Sequence, residues 1–390
     1  MSDATLQVLF WICAACVIYT YLLYPLFILL LADLRGRPVR PVGQFTGSLT
    51  IVLAVFNEES SINRRLDELK SLLAASGLEG EIVVVSDGST DSTAMLARRH
   101  DAGGVRVLEL PSNVGKAEAL TRGGNAAQGD VIVFADVRQR WAPNALENLL
   151  RNFTVPAVGA VSGDLVIETD SGLMSGVGLY WRYEKWLRRT ESLIHSTVGV
   201  TGAISAVRRR LFRPIPQGTI LDDVYWPLQV AMLGYRVVHE EKALAFDRFP
   251  ERTKDEFRRK VRTLSGNFQL LTRLPGALLP WRNPIWFEFV SHKVMRLLVP
   301  WALLGALLVS SLLSGPFYRA ALVGQIVFYS LGLIGVLQRT HTQMRLIAAT
   351  GSFLVLNVAA GFAFWVWITG KASRSWKKAQ YDRGKDAHKL

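Results

Sequence analysis

The stretch Leu49-Thr50-Ile51-Val52-Leu53-Ala54-Val55 is an unbroken apolar, β-branched run that ends just before Asn57-Glu58. Two further runs repeat this arrangement. Ile82-Val83-Val84-Val85 leads into Ser86-Asp87-Gly88-Ser89-Thr90-Asp91, and Val131-Ile132-Val133-Phe134 leads into Ala135-Asp136-Val137-Arg138. Apolar runs without polar alternation read as parallel strands buried on both faces. Between them, Ser60–Ala75 and Ser92–Arg99 carry amphipathic helical spacing. Strands alternating with helices predict an α/β doubly wound sheet, with the globular domain spanning residues 48–273. Such sheets bind ligands outside the carboxyl ends of their strands. Asn57, Glu58, Asp87 and Asp136 all fall at such ends.

Outward from this domain the composition changes. Half of the 390 residues are apolar, which is high for a soluble chain, and the excess lies in blocks. Leu6–Leu31 is long enough to cross a bilayer and gives way to Asp33, Arg35, Arg37 and Arg40. With no basic start, short apolar core or cleavage site, it reads as a retained anchor over residues 1–34. The arginines after it place the domain on the cytoplasmic side of a plasma (inner) membrane. Pro280–Met295 mixes Trp281, Trp286, Phe287 and Phe289 with Arg282, His292 and Lys293, as an interfacial amphipathic helix does. Residues 296–369 hold three candidate spans, Arg296–Leu313, Phe317–Leu337 and Leu346–Ile368, so the chain reads as multi-pass. One span before the domain and three after it put the C-terminus outside, whereas the lysines and arginines of the tail, 370–390, argue for inside.

The net charge of +13 suits an anionic partner. No nucleic-acid module is visible, so that partner is read as a nucleotide diphosphate or acidic lipid, not nucleic acid. The two cysteines, Cys13 and Cys16, lie inside the first apolar block and read as packing residues, not as a metal or redox pair.

Several motifs bear chemistry, each with a plainer alternative. Asp222-Asp223 sits between apolar residues in Ile220-Leu221-Asp222-Asp223-Val224-Tyr225-Trp226. A carboxylate in a partly apolar pocket can act as a general base, and the same pair also suits a helix N-cap with its first-turn acid. Asp87-Gly88 can receive a base or ribose, with Gly88 admitting a close backbone approach, or can form an Asp-Gly turn. Lys116, in Asn113-Val114-Gly115-Lys116, stands at the start of a helix, where a cation attracts phosphate. Asp136 is a hard oxygen ligand suited to Mg²⁺ or Mn²⁺. Gly199–Ala206, containing Gly202, is either a flexible loop against which an acceptor slides or a turn leading to a basic surface helix at Arg208-Arg209-Arg210. Arg258-Arg259-Lys260-Val261-Arg262 supplies guanidinium groups that can hold a diphosphate.

In this order the motifs resemble the membrane-bound family 2 glycosyltransferases, the group that includes cellulose, chitin and hyaluronan synthases and many exopolysaccharide enzymes. The likeness covers Thr50 to Arg273 and the flanking spans. It implies a GT-A, Rossmann-like fold and an inverting transfer from a nucleotide-sugar donor, usually UDP-linked, to a polysaccharide or polyprenyl-linked acceptor. By match, Asn57, Glu58 and Asp87 contact base and ribose, and Lys116 reaches the diphosphate. Asp136 looks like the first acid of D-x-D and would hold the divalent cation. Asp222-Asp223 looks like the end of T-E-D, with Asp223 the base, and Arg262 looks like the arginine of Q-x-x-R-W. Three departures stand out: Arg138 occupies the place of the second D-x-D acid, Arg259 that of Gln, and Thr263 that of Trp. The first motivates a different class, a membrane-anchored nucleotide-sugar sensor or inactive scaffold. The last weakens processive polymerisation.

Overall fold

The structure, a computed structural model, describes residues 2–168, 175–248, 253–337 and 345–370. Among the described residues there are eight strands: β1 (Leu49–Val55), β2 (Gly80–Ser86), β3 (Val105–Glu109), β4 (Val131–Ala135), β5 (Arg140–Trp141), β6 (Val158–Glu168), β7 (Ile204–Arg208) and β8 (Arg236–Arg248). Helices α1 (Asp3–Ile18) and α2 (Tyr24–Arg35) precede them. Among and after the strands come α3 (Ile62–Ser76), α4 (Thr93–Arg98), α5 (Lys116–Ala126), α6 (Ala145–Leu150), α7 (Ser175–Ile194), α8 (Asp222–Met232) and α9 (Thr253–Arg273). The last four helices are α10 (Trp286–Phe289), α11 (Met295–Leu312), α12 (Pro316–Leu337) and α13 (Arg345–Ile368).

The strands form one sheet in the order β3-β2-β1-β4-β7-β6-β8-β5. Strands β3, β2, β1 and β4 are parallel, as their unbroken apolar runs require. The remainder is mixed: β7 runs antiparallel to both β4 and β6, β8 parallel to β6, and β5 antiparallel to β8. Successive residues of β1 enter opposite cores. Ile51, Leu53 and Val55 pack with Ile62, Leu66 and Leu69 of α3, while Val52 packs with Ala117 and Leu120 of α5 and Leu228 of α8. The sheet is therefore covered on both faces, with helices shielding its polar backbone from water. In the parallel half, Val55 lies opposite Ser86 and Leu53 opposite Ala135, so the loops after β1, β2 and β4 leave from one edge.

Among the described residues, four helical rods are long and apolar enough to cross a membrane: Asp3–Arg35, Trp286–Leu312, Pro316–Leu337 and Leu346–Ile368. The first passes through a widened turn at Tyr19–Leu23, just before Pro25, whose ring nitrogen has no proton to donate. Cys13 is buried there beside Ala302 and Ala306 of α11, consistent with a packing role. Residues 280–295 depart from the expected separate interfacial helix. They turn until Trp286, after which helix continues into α11. The polar groups Glu288, Ser291 and His292 are buried rather than turned toward lipid headgroups. The expected basic tail lies outside the described residues, apart from Gly370.

Candidate functional site

At the sheet edge, α5 and α8 point their N-termini toward the loop after β4 and toward residues 199–202. Lys116, Asp136, Gly202, Asp222 and Asp223 line one pocket there, walled by Leu120, Phe134, Val200 and Trp226. The chain thus brings together five of the residues singled out by sequence. Lys116 Nζ donates to Asp136 Oδ1 at 2.7 Å. Gly202 lies over this pair: a Cβ on it would stand 3.2 Å from Lys116 Nζ and 3.7 Å from Asp136 Oδ2. The backbone N–H of Val200 donates to the Asp223 carbonyl at 2.8 Å, so the loop and the start of α8 are joined. The N-cap of α8 is Leu221, and the two acids stand in the first turn, where the helix dipole favours them, while both also line the pocket.

The electrostatics follow from crowding three carboxylates around one ammonium group. Burial pushes Asp222 up to about 6, with Asp223 and Asp136 adding to the rise and Lys116 opposing it. Burial likewise raises Asp223, against the pull of Lys116, Arg188 and Lys293. Burial works against the charge on Lys116, but Asp136, Asp222 and Asp223 outweigh it and hold the ammonium above the usual lysine range. Burial lowers Arg262 while Asp222 and Asp223 support its charge, so this α9 arginine also reaches the acids.

The segment before the acids is fastened from α9. Gln269 Oε1 accepts from the Ile220 N–H and its Nε2 donates to the Gly218 carbonyl, both at 2.9 Å. Arg273 donates to the carbonyls of Pro216 and Gln217 and to Thr219 Oγ1.

Other predicted residues take different places. Asp87 is buried, and its two carboxylate oxygens accept from the N–H groups of Val114 and Gly115 at 2.8 and 2.9 Å. These bonds shape the turn that delivers Lys116. Gly88 has φ of 64°, and a Cβ there would fall 2.3 Å from the Ser112 carbonyl carbon, so the two loops meet where only glycine fits. Asn57 is itself left-handed, with φ of 53°, and its Oδ1 accepts from Thr90 N–H at 2.8 Å. The Glu58 N–H donates to Thr93 Oγ1 at 2.7 Å. Asn57 and Glu58 thus bind the β1 and β2 loops to each other, beside the acid pocket and not in it. Arg138 and Arg259 are exposed and do not line it.

Gly199–Ala206 is a largely buried turn into β7, and the exposed Arg209 and Arg210 after it open a single 3₁₀ turn, Arg209–Leu211. Gly199, Val200 and Thr201 are buried, the chain enters β7, and the Arg208 guanidinium donates to the carbonyls of Phe153, Val155 and Val158. Trp141 is buried, with its Nε1 donating to the Ala203 carbonyl at 3.0 Å.

Sequence reasoning overlooked Arg188, which acts electrostatically on Asp223, and read Lys293 only as the polar side of an interfacial helix. The spacing of Glu184, Arg188 and Glu191, at i, i+4 and i+7, is the signal that marks one charged face of α7.

For a divalent cation, the described residues hold no cluster of three or more His, Cys, Asp or Glu placed to bind it. Asp136 has one oxygen on Lys116 and offers the other, Oδ2, toward Gly202. A single carboxylate fits Mg²⁺ or Mn²⁺ of the kind that takes its remaining ligands from substrate phosphates and water.

The sequence profile of Glycosyl transferase family 2 matches residues 50–215. The poly-beta-1,6-N-acetyl-D-glucosamine synthase of Staphylococcus aureus is 25% identical over 248 residues, which are 62% of this chain and 59% of that protein. The synthase of the same name from Staphylococcus epidermidis is 24% identical over 249 residues, 61% of this chain and 59% of that protein. The chain thus spans about three fifths of the length of these curated relatives. Among solved structures, the mannosyltransferase PcManGT from Pyrobaculum calidifontis, in complex with GDP-Man and Mn2+, superposes with a TM-score of 0.71 at 21% identity, covering 94% of this chain and 99% of that one. Residues 50–215 thus match glycosyl transferase family 2, and the chain shares the GT-A fold of the solved mannosyltransferase, with four helices of membrane-spanning length among its described residues.

Proposed function

We propose that the chain transfers a sugar from a nucleotide-sugar donor, a UDP-sugar first, to a saccharide or lipid-linked acceptor, with inversion at the anomeric carbon. The observation that carries this reading is the convergence of Asp222, Asp223, Lys116 and Asp136 on one pocket at the carboxyl edge of the sheet. Asp223 takes the proton of the acceptor hydroxyl, whose oxygen forms the new bond to the anomeric carbon. The bond from that carbon to the diphosphate oxygen breaks on the opposite face. Lys116 and Arg262 stabilise the negative charge that grows on the departing nucleoside diphosphate. Asp222 keeps a second negative charge beside Asp223, which raises the proton affinity of the base. Asp136 would hold Mg²⁺ or Mn²⁺, which supplies further charge neutralisation at the diphosphate when bound. Asn57 and Glu58 stand at the β1 end, where base and ribose would lie; Asp87 and Gly88 hold the turn that presents Lys116.

Arg35 at the end of the first rod, with Arg37 and Arg40 after it, supports a cytoplasmic domain at the inner (plasma) membrane. The names of the staphylococcal relatives support a place in exopolysaccharide synthesis. Nucleotide release from purified protein, screened over UDP-sugars and GDP-mannose with Mg²⁺ or Mn²⁺, tests the reading. Release from one donor, stimulated by an acceptor, is the expected result. Donor binding without release from any of them would return the chain to a sensor.

A further inference from the structure

Strands β4 and β7 separate beside the pocket. Their last register pair is Ala135 with Ile204, so Asp136 and Ala203 are the first residues on either side of a fork. Further along the Asp136 loop, Trp141 bridges that fork. Its indole Nε1–H donates to the Ala203 carbonyl at 3.0 Å, next to Gly202. Gly202 is the residue whose added Cβ would stand 3.2 Å from Lys116 Nζ and 3.7 Å from Asp136 Oδ2. One side chain therefore joins the two walls of the pocket, the Asp136 loop and the Gly202 turn. The same turn is tied to the acids and to β6 by other bonds: Val200 N–H donates to the Asp223 carbonyl at 2.8 Å, and Thr201 N–H to Ser162 Oγ at 3.0 Å.

Trp141 is itself gripped from α3. Glu68 Oε1 accepts its backbone N–H at 2.6 Å. Glu68 Oε2 stands 3.0 Å from Arg65 Nη1, and the Arg65 guanidinium carbon lies 4.7 Å from the centre of the indole ring. Arg65 is fully buried, and its Nε and Nη2 have no hydrogen-bond partner among the described residues. A desolvated guanidinium with unmet donors is a cost that a leucine or methionine in its place would not carry. Filling the core does not account for it, whereas holding the plane of one indole does. Tryptophan suits the place because it joins a broad apolar ring face to a donor at the ring's edge: the face takes Arg65 and the N–H takes Ala203.

The geometry points to Trp141 as a positioning residue of the donor pocket: spanning the fork, it sets the gap between Gly202 and the Lys116–Asp136 pair, while Arg65 and Glu68 hold Trp141 in place. Its effect on catalysis rests on the donor diphosphate entering that gap, as the proposed transfer requires. Its effect on the gap itself does not.

The experiment has two readouts, both on the full-length protein in a neutral maltoside detergent. The first is the rate at which N-hydroxysuccinimidyl acetate acetylates Lys116, followed on its peptide by mass spectrometry. Trp141→Phe keeps an aromatic ring over Arg65 and removes the N–H. It should raise that rate about fivefold, the factor that one net hydrogen bond is worth in an opening equilibrium. Ile62→Val, a loss of packing on the same helix, should leave the rate within about twofold, because it loosens the core and not the fork. Arg65→Met removes the cation under the ring and leaves Glu68, which is partly exposed, to water. It should raise the rate by a smaller factor, and it decides the matter where Trp141→Phe does not fold. The second readout is steady-state nucleotide release. Trp141→Phe should raise the KM for the donor about fivefold and lower kcat less, whereas a smaller folded fraction would lower kcat alone. Unchanged acetylation in both Trp141→Phe and Arg65→Met, or an equal rise in Ile62→Val, overturns the bridge. Faster acetylation with an unchanged donor KM overturns its part in donor binding. Acetylation needs no donor, so absence of release from every donor would remove the transfer reading and leave the bridge to be decided by Lys116.

Discussion

Lys116 Nζ lies 2.7 Å from Asp136 Oδ1, and this bond connects the first residue of α5 to the first loop residue after β4. It puts the ammonium among three carboxylates, so its removal has two effects. The diphosphate loses a cation, and Asp222 and Asp223 lose the charge that most opposes their protonation. Lys116→Met is expected to lower kcat/KM for the donor by about 10²–10³, the scale of removing one donor from a developing oxyanion. Steady-state nucleotide release measures it. A change under threefold would show that Lys116 serves Asp136 alone.

Asp223→Asn keeps the shape of the side chain and removes its proton affinity. Turnover should fall by about 10²–10⁴, the usual scale of general-base help, while donor affinity measured by calorimetry stays within a few-fold. Loss of affinity equal to the loss of turnover would assign Asp223 to binding instead.

The acid pair predicts a pH profile. Burial moves Asp222 up to about 6, and Asp223 moves the same way, so the two titrate as one system. The base works when deprotonated; kcat/KM should therefore rise with pH on an acid limb displaced above the ordinary carboxylate range and level off beyond it. Asp222→Asn removes a negative neighbour of Asp223, so the acid limb should move to lower pH. Stability runs the other way. A raised carboxylate binds protons more tightly when folded, so its contribution is fully present below the unfolded value of about 3.9 and is lost as pH climbs through about 6. A limb that stays in place in Asp222→Asn, with activity retained, would contradict the coupling.

What the sequence disclosed and what it hid follow from interaction range. Strands β1, β2 and β4 were legible because burial on both faces leaves an uninterrupted apolar run, and Asp136 and Lys116 because each directly follows or opens such an element. Strands β6 and β8 were not singled out. Both carry polar and charged residues, Ser162 and Asp164 in one and Glu240 to Lys242 in the other, that break the apolar run. Asp87 was placed correctly at its strand end, but its partners, Val114 and Gly115, lie 27 and 28 residues onward, beyond any local pattern. The seam formed by Glu184, Glu191 and His292 joins positions about a hundred residues apart. A single chain read locally shows charges on two amphipathic helices and nothing of their meeting.

Gly266 offers a test of how the acids are held. It stands on α9 against the segment leading into α8, and a Cβ there would fall 2.7 Å from Leu221 Cγ and 3.0 Å from Ile220 Cγ2. Helix propensity alone would make Gly266→Ala stabilising by about 1 kcal/mol. Overpacking opposes it at about 1–3 kcal/mol, and here it should win. Leu221 is buried, and the backbone around it cannot retreat because Gln269 holds both Gly218 and Ile220 while Arg273 holds Pro216 and Gln217. The strain is relieved where the chain is next able to move, at Asp222 and Asp223. Gly266→Ala should therefore lower the Tm by a few degrees and reduce kcat more than it raises the KM for the donor. A variant that melts higher than wild type and turns over at full rate would show that α9 does not fix the position of the acids.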